Sequence, residues 1–215
     1  MKNKVVGIML LIIAVVWAVW SVITGVTGLA KSGSEPLTAS SQKGTICETK
    51  VIFATEMYTV EHKMNLILPI GTERYYFAMS EDSASPMLIK ARREWFDSNF
   101  GDDGIAKQPV TVKGEIRKFD SRHYAKLSEL NRKLKQIDKT VSVSQSVYMN
   151  SMYKTHYFMR LVMGVLSLSV GAAVLILMKL FRSGNLSGGA AKFLVIWMIV
   201  AVLGTIALGL GSRTV

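Results

Sequence analysis

From Val5 to Ala30 the chain runs VVGIMLLIIAVVWAVWSVITGVTGLA without a charged residue. At about 1.5 Å per helical residue, such a run is ample to cross a hydrocarbon core of about 30 Å. A second apolar run, Leu161–Met178, is approached through Tyr153, His156, Tyr157 and Arg160 and left through Lys179 and Arg182. A third, Phe193–Leu210, is approached at Lys192. Charge sharpens the constraint: 26 Lys and Arg stand against 15 Asp and Glu, and every acid lies between Glu35 and Asp138. The outer parts therefore carry only Lys and Arg among full charges, which excludes one ordinary soluble domain. The expected class is an α+β membrane protein with transmembrane helices over 5–29, 158–180 and 193–211. Residues 1–4 form a short tail, 182–192 a short loop, and 31–156 a β-rich extramembrane domain.

Lys2 and Lys4 before the first run, and Gly28-Leu29-Ala30 after it, are also what a cleavable signal peptide would present. The apolar stretch is much longer than the roughly 7–15 residues of a signal h-region, so an uncleaved signal anchor is expected. The connector RSGNLSGGAAK is short and rich in glycine, suited to a tight turn between antiparallel helices of a terminal hairpin. Flanking Lys and Arg set orientation. A cytoplasmic N-terminus puts Lys2, Lys4, Lys179, Arg182 and Lys192 inside and Lys31, Lys154, Arg160 and Arg213 outside, five against four. The expectation is a multi-pass protein of the bacterial cytoplasmic membrane with the insert outside. This layout resembles uncharacterised small bacterial membrane proteins with a β-rich insert between the first span and a terminal helical hairpin. The resemblance covers the chain as a layout, without a diagnostic motif, and implies no functional residues.

The insert carries 19 Lys and Arg against all 15 acids, a balance of +4, and is long enough for one compact domain with its own core. Ser32–Lys43 has the composition of a polar linker. The stretch TICETKVIFATEMYTV, Thr45–Val60, predicts one long strand or two strands broken by a bulge, and Cys47, the only cysteine, is expected to be a small strand residue. Asn65–Ile70 and Arg74–Met79 flank Gly71-Thr72-Glu73, a hairpin signal in which Pro69 suggests an edge strand. Short strands are predicted at Met87–Lys90 and Val110–Ile116, with Gly114 marking a bulge or close approach, and one or two helical turns at Arg92–Phe96. A helix capped by Asp120 or Ser121 is predicted to run to about Lys139, its apolar stripe formed by Tyr124, Leu127, Leu130, Leu134 and Ile137. Thr140–Met149 alternates Val with Ser and Tyr and predicts a closing strand. Five or six strands with a helix are compatible with an OB-like, partly closed barrel, and equally with an open α+β sheet.

No catalytic or metal site is expected. His62, His123 and His156 are far apart, without an HExxH pattern or a cysteine pair, and are expected at the surface or an interface. Asp97, Asn99, Asp102 and Asp103 offer oxygen donors. Counted from Asp97 as an EF-hand loop, however, the fifth, sixth and twelfth positions are Gly101, Asp102 and Gln108, which favours a solvated turn over calcium. Dinucleotide, Walker and serine-hydrolase motifs are absent, and no cofactor is expected. Within the spans no ionisable residue stands away from the ends, which argues against a transporter acting alone. The expected function is a non-enzymatic membrane-anchored binding or scaffolding protein. Its binding residues would be the basic helix face of Arg122, Lys126, Arg132, Lys133 and Lys135. Expected partners are membrane lipid and an envelope protein or anionic polymer, with no nucleic acid. The alternative is an accessory subunit of a transporter or membrane enzyme, assembled through the small residues Ser167 and Gly171, and Ala201, Thr205 and Gly209.

Overall fold

A computed structural model of the chain describes residues 2–38, 41–64, 68–81, 86–137, 139, 143, 147–182 and 189–211. In chain order the elements are α1 (Lys2–Leu29), β1 (Glu35–Pro36), β2 (Ile46–Met64), β3 (Leu68–Ser80), β4 (Met87–Ala91), α2 (Arg93–Asn99), β5 (Ile105–Lys118), α3 (Ser121–Ile137), β6 (Val147–Asn150), α4 (Tyr153–Arg182) and α5 (Gly189–Gly211). They fall into two compact units, one of the helices within 2–30 and 154–211, the other of residues 31–153.

In the helical unit, α1, α4 and α5 are each long and apolar enough to cross a membrane. The helices run beyond the apolar stretches that define them. α4 begins at Tyr153, eight residues before Leu161, because nothing in YKTHYFMR breaks a helix. α1 and α4 approach closely at three glycines. A Cβ on Gly164 would sit 2.8 Å from the Ala18 carbonyl oxygen, and one on Gly25 would sit 2.7 Å from the Leu161 backbone nitrogen. Gly28 is pressed against the Tyr157 ring. Ala18, Ser21, Gly25 and Gly28 are all buried, a stripe of small residues at three- and four-residue spacing.

The other unit is built on one sheet. β2 pairs with β3, β3 with β4, β4 with β6, β6 with β5, and β5 returns to β2. Five strands therefore close a ring of pairings, and β1 lies parallel against Cys47 and Glu48 of β2. The contacts of β4 with β6 are parallel, and the others in the ring are antiparallel. β2 serves two partners because it is long and irregular. It pairs with β5 over Ile46–Phe53 and with β3 over Val51–Met64, with register shifts after Val51, Glu56 and His62. Such shifts bend and coil a strand, which lets it pass from one neighbour to the next. Gly114 meets its expectation as a close approach: a Cβ there would stand 2.9 Å from the Asn150 carbonyl oxygen and collide with Met149 of β6.

The sheet is buried on both faces. One core gathers Cys47, Val51, Ala54, Tyr76, Ala78, Ile89, Val112, Ile116 and Met149, with Trp95 and Phe96 of α2 packed against it. Phe96 stacks on Tyr76 at 5.1 Å between centroids. The other core gathers Tyr75, Phe77, Leu88 and Phe119 beneath Leu127 and Leu130 of α3. Neighbouring residues of β3 thus enter different cores, which is why YYFA shows no polar alternation.

Several local expectations change. The hairpin turn is not at Gly71-Thr72-Glu73: these residues lie inside β3, paired with His62, Glu61 and Val60, and the chain reverses between Met64 and Leu68. Residues 65–67 lie outside the described ones, and Asn65 with them. Part of the expected linker joins the sheet, as Glu35 and Pro36 form β1. The closing strand is confined to Val147–Asn150 among the described residues, while 140–142 and 144–146 lie outside them. His62 and His123 are buried, not exposed.

Candidate functional site

α3 carries the five basic residues singled out above, and its inward stripe decides which of them face outward. Leu127 and Leu130 are buried and Leu134 is packed against the same core. His123 and Asn131 are buried beside them, while Tyr124 is 52% exposed. The stripe is thus rotated from the one the leucines and Tyr124 predict, because two polar residues find partners beneath. The Asn131 amide donates to the Val143 carbonyl at 3.1 Å and accepts from the Val143 N–H at 2.9 Å. His123 Nδ1 stands 3.3 Å from the Tyr58 hydroxyl.

The basic residues divide accordingly. Lys126 donates to the Thr59 carbonyl of β2 at 2.6 Å and stands 5.4 Å from the Tyr58 ring centroid, so it fastens the helix to the sheet. Lys133 pairs with Glu129 at 2.9 Å, one turn earlier. Arg132 and Lys135 are exposed. The side chain of Arg122 lies outside the described ones.

Beneath α3 the sheet presents aromatic rings and buried charge. Tyr58 and Tyr75 stack at 4.8 Å, and Tyr148 meets Tyr75 edge-on at 5.4 Å. Glu73 accepts from Lys90 on Oε1 at 2.8 Å and from the Tyr75 hydroxyl on Oε2 at 2.9 Å, and His62 Nε2 lies 3.3 Å from Oε1. Burial acts to raise the Glu73 carboxyl, but Lys90, Tyr75 and His62 outweigh it and hold it below its ordinary value. Burial pulls Lys90 down against the attraction of Glu73, and drives the Tyr58, Tyr75 and Tyr148 hydroxyls up. A second buried carboxylate, Glu115, is held by Lys31 at 2.6 Å and Arg117 at 2.8 Å. The Glu73 cluster ties β2, β3 and β4 together through charge, whereas the Glu115 cluster fastens Lys31, which precedes β1, to β5.

The small residues of the membrane-length helices also divide. Ala201 is buried, and Thr205 donates back to its carbonyl at 2.8 Å. A Cβ on Gly209 would be in ordinary contact with Met163 Sδ at 3.6 Å, whereas one on Gly171 would meet nothing within 4 Å among the described residues. Ser167 is half-buried. An apolar groove of about 370 Å³ runs between α4 and α5 past Ala172, Ile176, Phe193 and Trp197. Reading the sequence missed the α1 stripe, although the small residues at 18, 21, 25 and 28 signal it.

No protein-family model, curated protein or solved structure matches the chain.

Proposed function

We propose that the protein is a non-enzymatic membrane-anchored binding or scaffolding protein whose sheet unit is an OB-like barrel outside the cytoplasm. The observation that carries this reading is the ring of strand pairings in the order β2-β3-β4-β6-β5, with α2 between β4 and β5, in a chain that also holds three membrane-length apolar helices. OB folds take oligonucleotides and oligosaccharides on the face of their second and third strands. Here α3 covers Tyr75 and Phe77 of β3 and Leu88 of β4, the strands that correspond. Recognition then moves to the outer surface of α3, whose Arg132, Lys133 and Lys135 suit an anionic envelope polymer or an acidic protein face.

Charge reversal tests this. In full-length protein held in uncharged nanodiscs, R132E/K133E/K135E is expected to weaken binding of polyglutamate about tenfold and to flatten its dependence on salt. Binding unchanged in both respects would sink the site. Orientation has its own test. Cys47 is fully buried, so it stays silent to an impermeant maleimide until the protein is denatured. Asp102→Cys, in an exposed turn, is expected to label in intact cells. Labelling only after permeabilisation would place the unit in the cytoplasm.

A second reading, an accessory subunit of a membrane complex, is favoured by the open space beside Gly171 and the apolar groove between α4 and α5. Small, unfilled helix faces are where another transmembrane helix packs closely.

A further inference from the structure

The shortness of β6 leaves a slot in the sheet unit. Asn150 is paired with Glu115 of β5 on one side and Lys90 of β4 on the other. Two residues further, the same register would set Met152 between Lys113 and Arg92. Instead Ser151 and Met152 turn, and α4 begins at Tyr153. The space so left is a groove of about 380 Å³ lined by Arg92, Trp95, Thr111, Lys113 and Met152, with Glu94 also on its wall.

Its chemistry is specific. Arg92 is exposed, and its guanidinium has no hydrogen-bond or ion-pair partner among the described residues. Lys113 spends one donor on the Ser32 carbonyl at 2.7 Å, which fixes the ammonium and leaves two further donors. The Trp95 ring is held edge-on by Tyr76 at 5.7 Å and Phe100 at 5.1 Å. Two cations against one carboxylate leave a local balance of +1. That matches the single charge of a phosphodiester better than a phosphate monoester of about −1.5 to −2. The Glu94 carboxylate and the Thr111 hydroxyl suit hydroxyl groups carried on the same ligand.

We propose that this groove binds the headgroup of an anionic phospholipid, a hydroxylated phosphodiester such as phosphoglycerol, with Arg92 and Lys113 on the phosphate oxygens. The lipid source rests on the membrane-anchored reading above. Met152 immediately precedes α4, whose Tyr153, His156, Tyr157 and Arg160 are residue types that settle among headgroups. Lipid is then the most concentrated phosphodiester available to the chain segment that leads from Met152 into α4. The site is separate from the outer face of α3, where Lys133 is already paired.

The test is native mass spectrometry of the full-length protein, delipidated in detergent and titrated with short-chain phosphatidylglycerol or phosphatidylcholine. The expected result is half-saturation at about tenfold lower concentration for phosphatidylglycerol, with that preference lost in R92Q and in R92Q/K113Q. Thermal unfolding of R92Q should match the parent, since Arg92 holds nothing in place. R132E/K133E/K135E should keep the preference. Equal binding of the two lipids, or a preference that survives R92Q/K113Q or disappears with the α3 reversal, overturns the groove. If glycerophosphoglycerol without acyl chains binds at the same concentration as the lipid, the lipid source is overturned. Alkaline carbonate extraction of cell membranes separates the two readings: a chain that is extracted sinks membrane anchoring, whatever the headgroup preference in detergent.

Discussion

Glu73→Gln is expected to destabilise the sheet unit by about 3–5 kcal/mol, the range found when one partner is removed from a buried ion pair. Glu73 is 7% exposed and Lys90 2%. The substitution keeps the shape and leaves the ammonium among groups that no longer neutralise it. Lys90→Met alone strands the carboxylate in the same way. The double variant E73Q/K90M is expected to lose clearly less than the sum of the two, because it removes both desolvation penalties together. The measurement is thermal unfolding of the full-length protein in mild detergent, followed by near-ultraviolet circular dichroism, where a loss of this size lowers the midpoint by roughly ten degrees or more. Additive losses, or a loss for E73Q under about 1 kcal/mol, would show that the pair does not act as a buried unit. The pH dependence has a definite sign. Lys90, Tyr75 and His62 hold the folded Glu73 carboxyl below 4.5. Its contribution is therefore complete above the unfolded carboxylate range and is lost as pH falls through the lower folded value. The parent should lose stability below about pH 4.5 more steeply than E73Q.

That cluster also marks where reading the sequence stops. The apolar runs were legible because hydrocarbon admits no charge, and a stretch such as Val5–Ala30 has few other uses. The strand character of Thr45–Val60 was legible from its β-branched and aromatic residues. The hairpin register was not, because Gly71 and Pro69 look like turn residues wherever they stand. They lie in the part of β3 beyond its pairing with β4, which covers Arg74–Ala78, and a strand tolerates such residues where one edge is open. Nor could pattern alone show that Tyr75 and Tyr76 enter different cores, since a strand buried on both faces has no alternation to read. His123 and Asn131 turn inward for partners, Tyr58 and Val143, that only the tertiary structure brings near. The groove at Arg92 was equally hidden: it exists because β6 stops at Asn150, and no residue in it forms a motif.

The helical unit is as sensitive to a single substitution, at Gly164. A Cβ there would lie 2.7 Å from Val22 Cγ2 and 2.8 Å from both the Val22 nitrogen and the Ala18 carbonyl oxygen. Two of those three atoms are backbone of α1, so a rotamer change cannot relieve the overlap and the helices must move apart. In hydrocarbon no hydrophobic force draws helices together, and close approach is itself the source of packing energy. Gly164→Ala is therefore expected to show most of the loss that Gly164→Leu shows, about 3 kcal/mol or more for the latter. The readout is the temperature at which the peak of the folded protein is lost in size-exclusion chromatography after heating in detergent. Gly171→Leu is the control, because its added Cβ meets nothing within 4 Å among the described residues, and it should leave that temperature unchanged. Gly209→Leu should fall between, since its Cβ meets only the flexible end of Met163. A neutral Gly164→Ala would mean that α1 and α4 do not pack at this distance. If Gly171→Leu leaves stability intact yet removes a stoichiometric partner from mild-detergent preparations, the open face of α4 belongs to an interface with another chain. The small residues of the spans would then have two separable uses, Gly164 holding the chain's own helices together and Gly171 admitting a neighbour's.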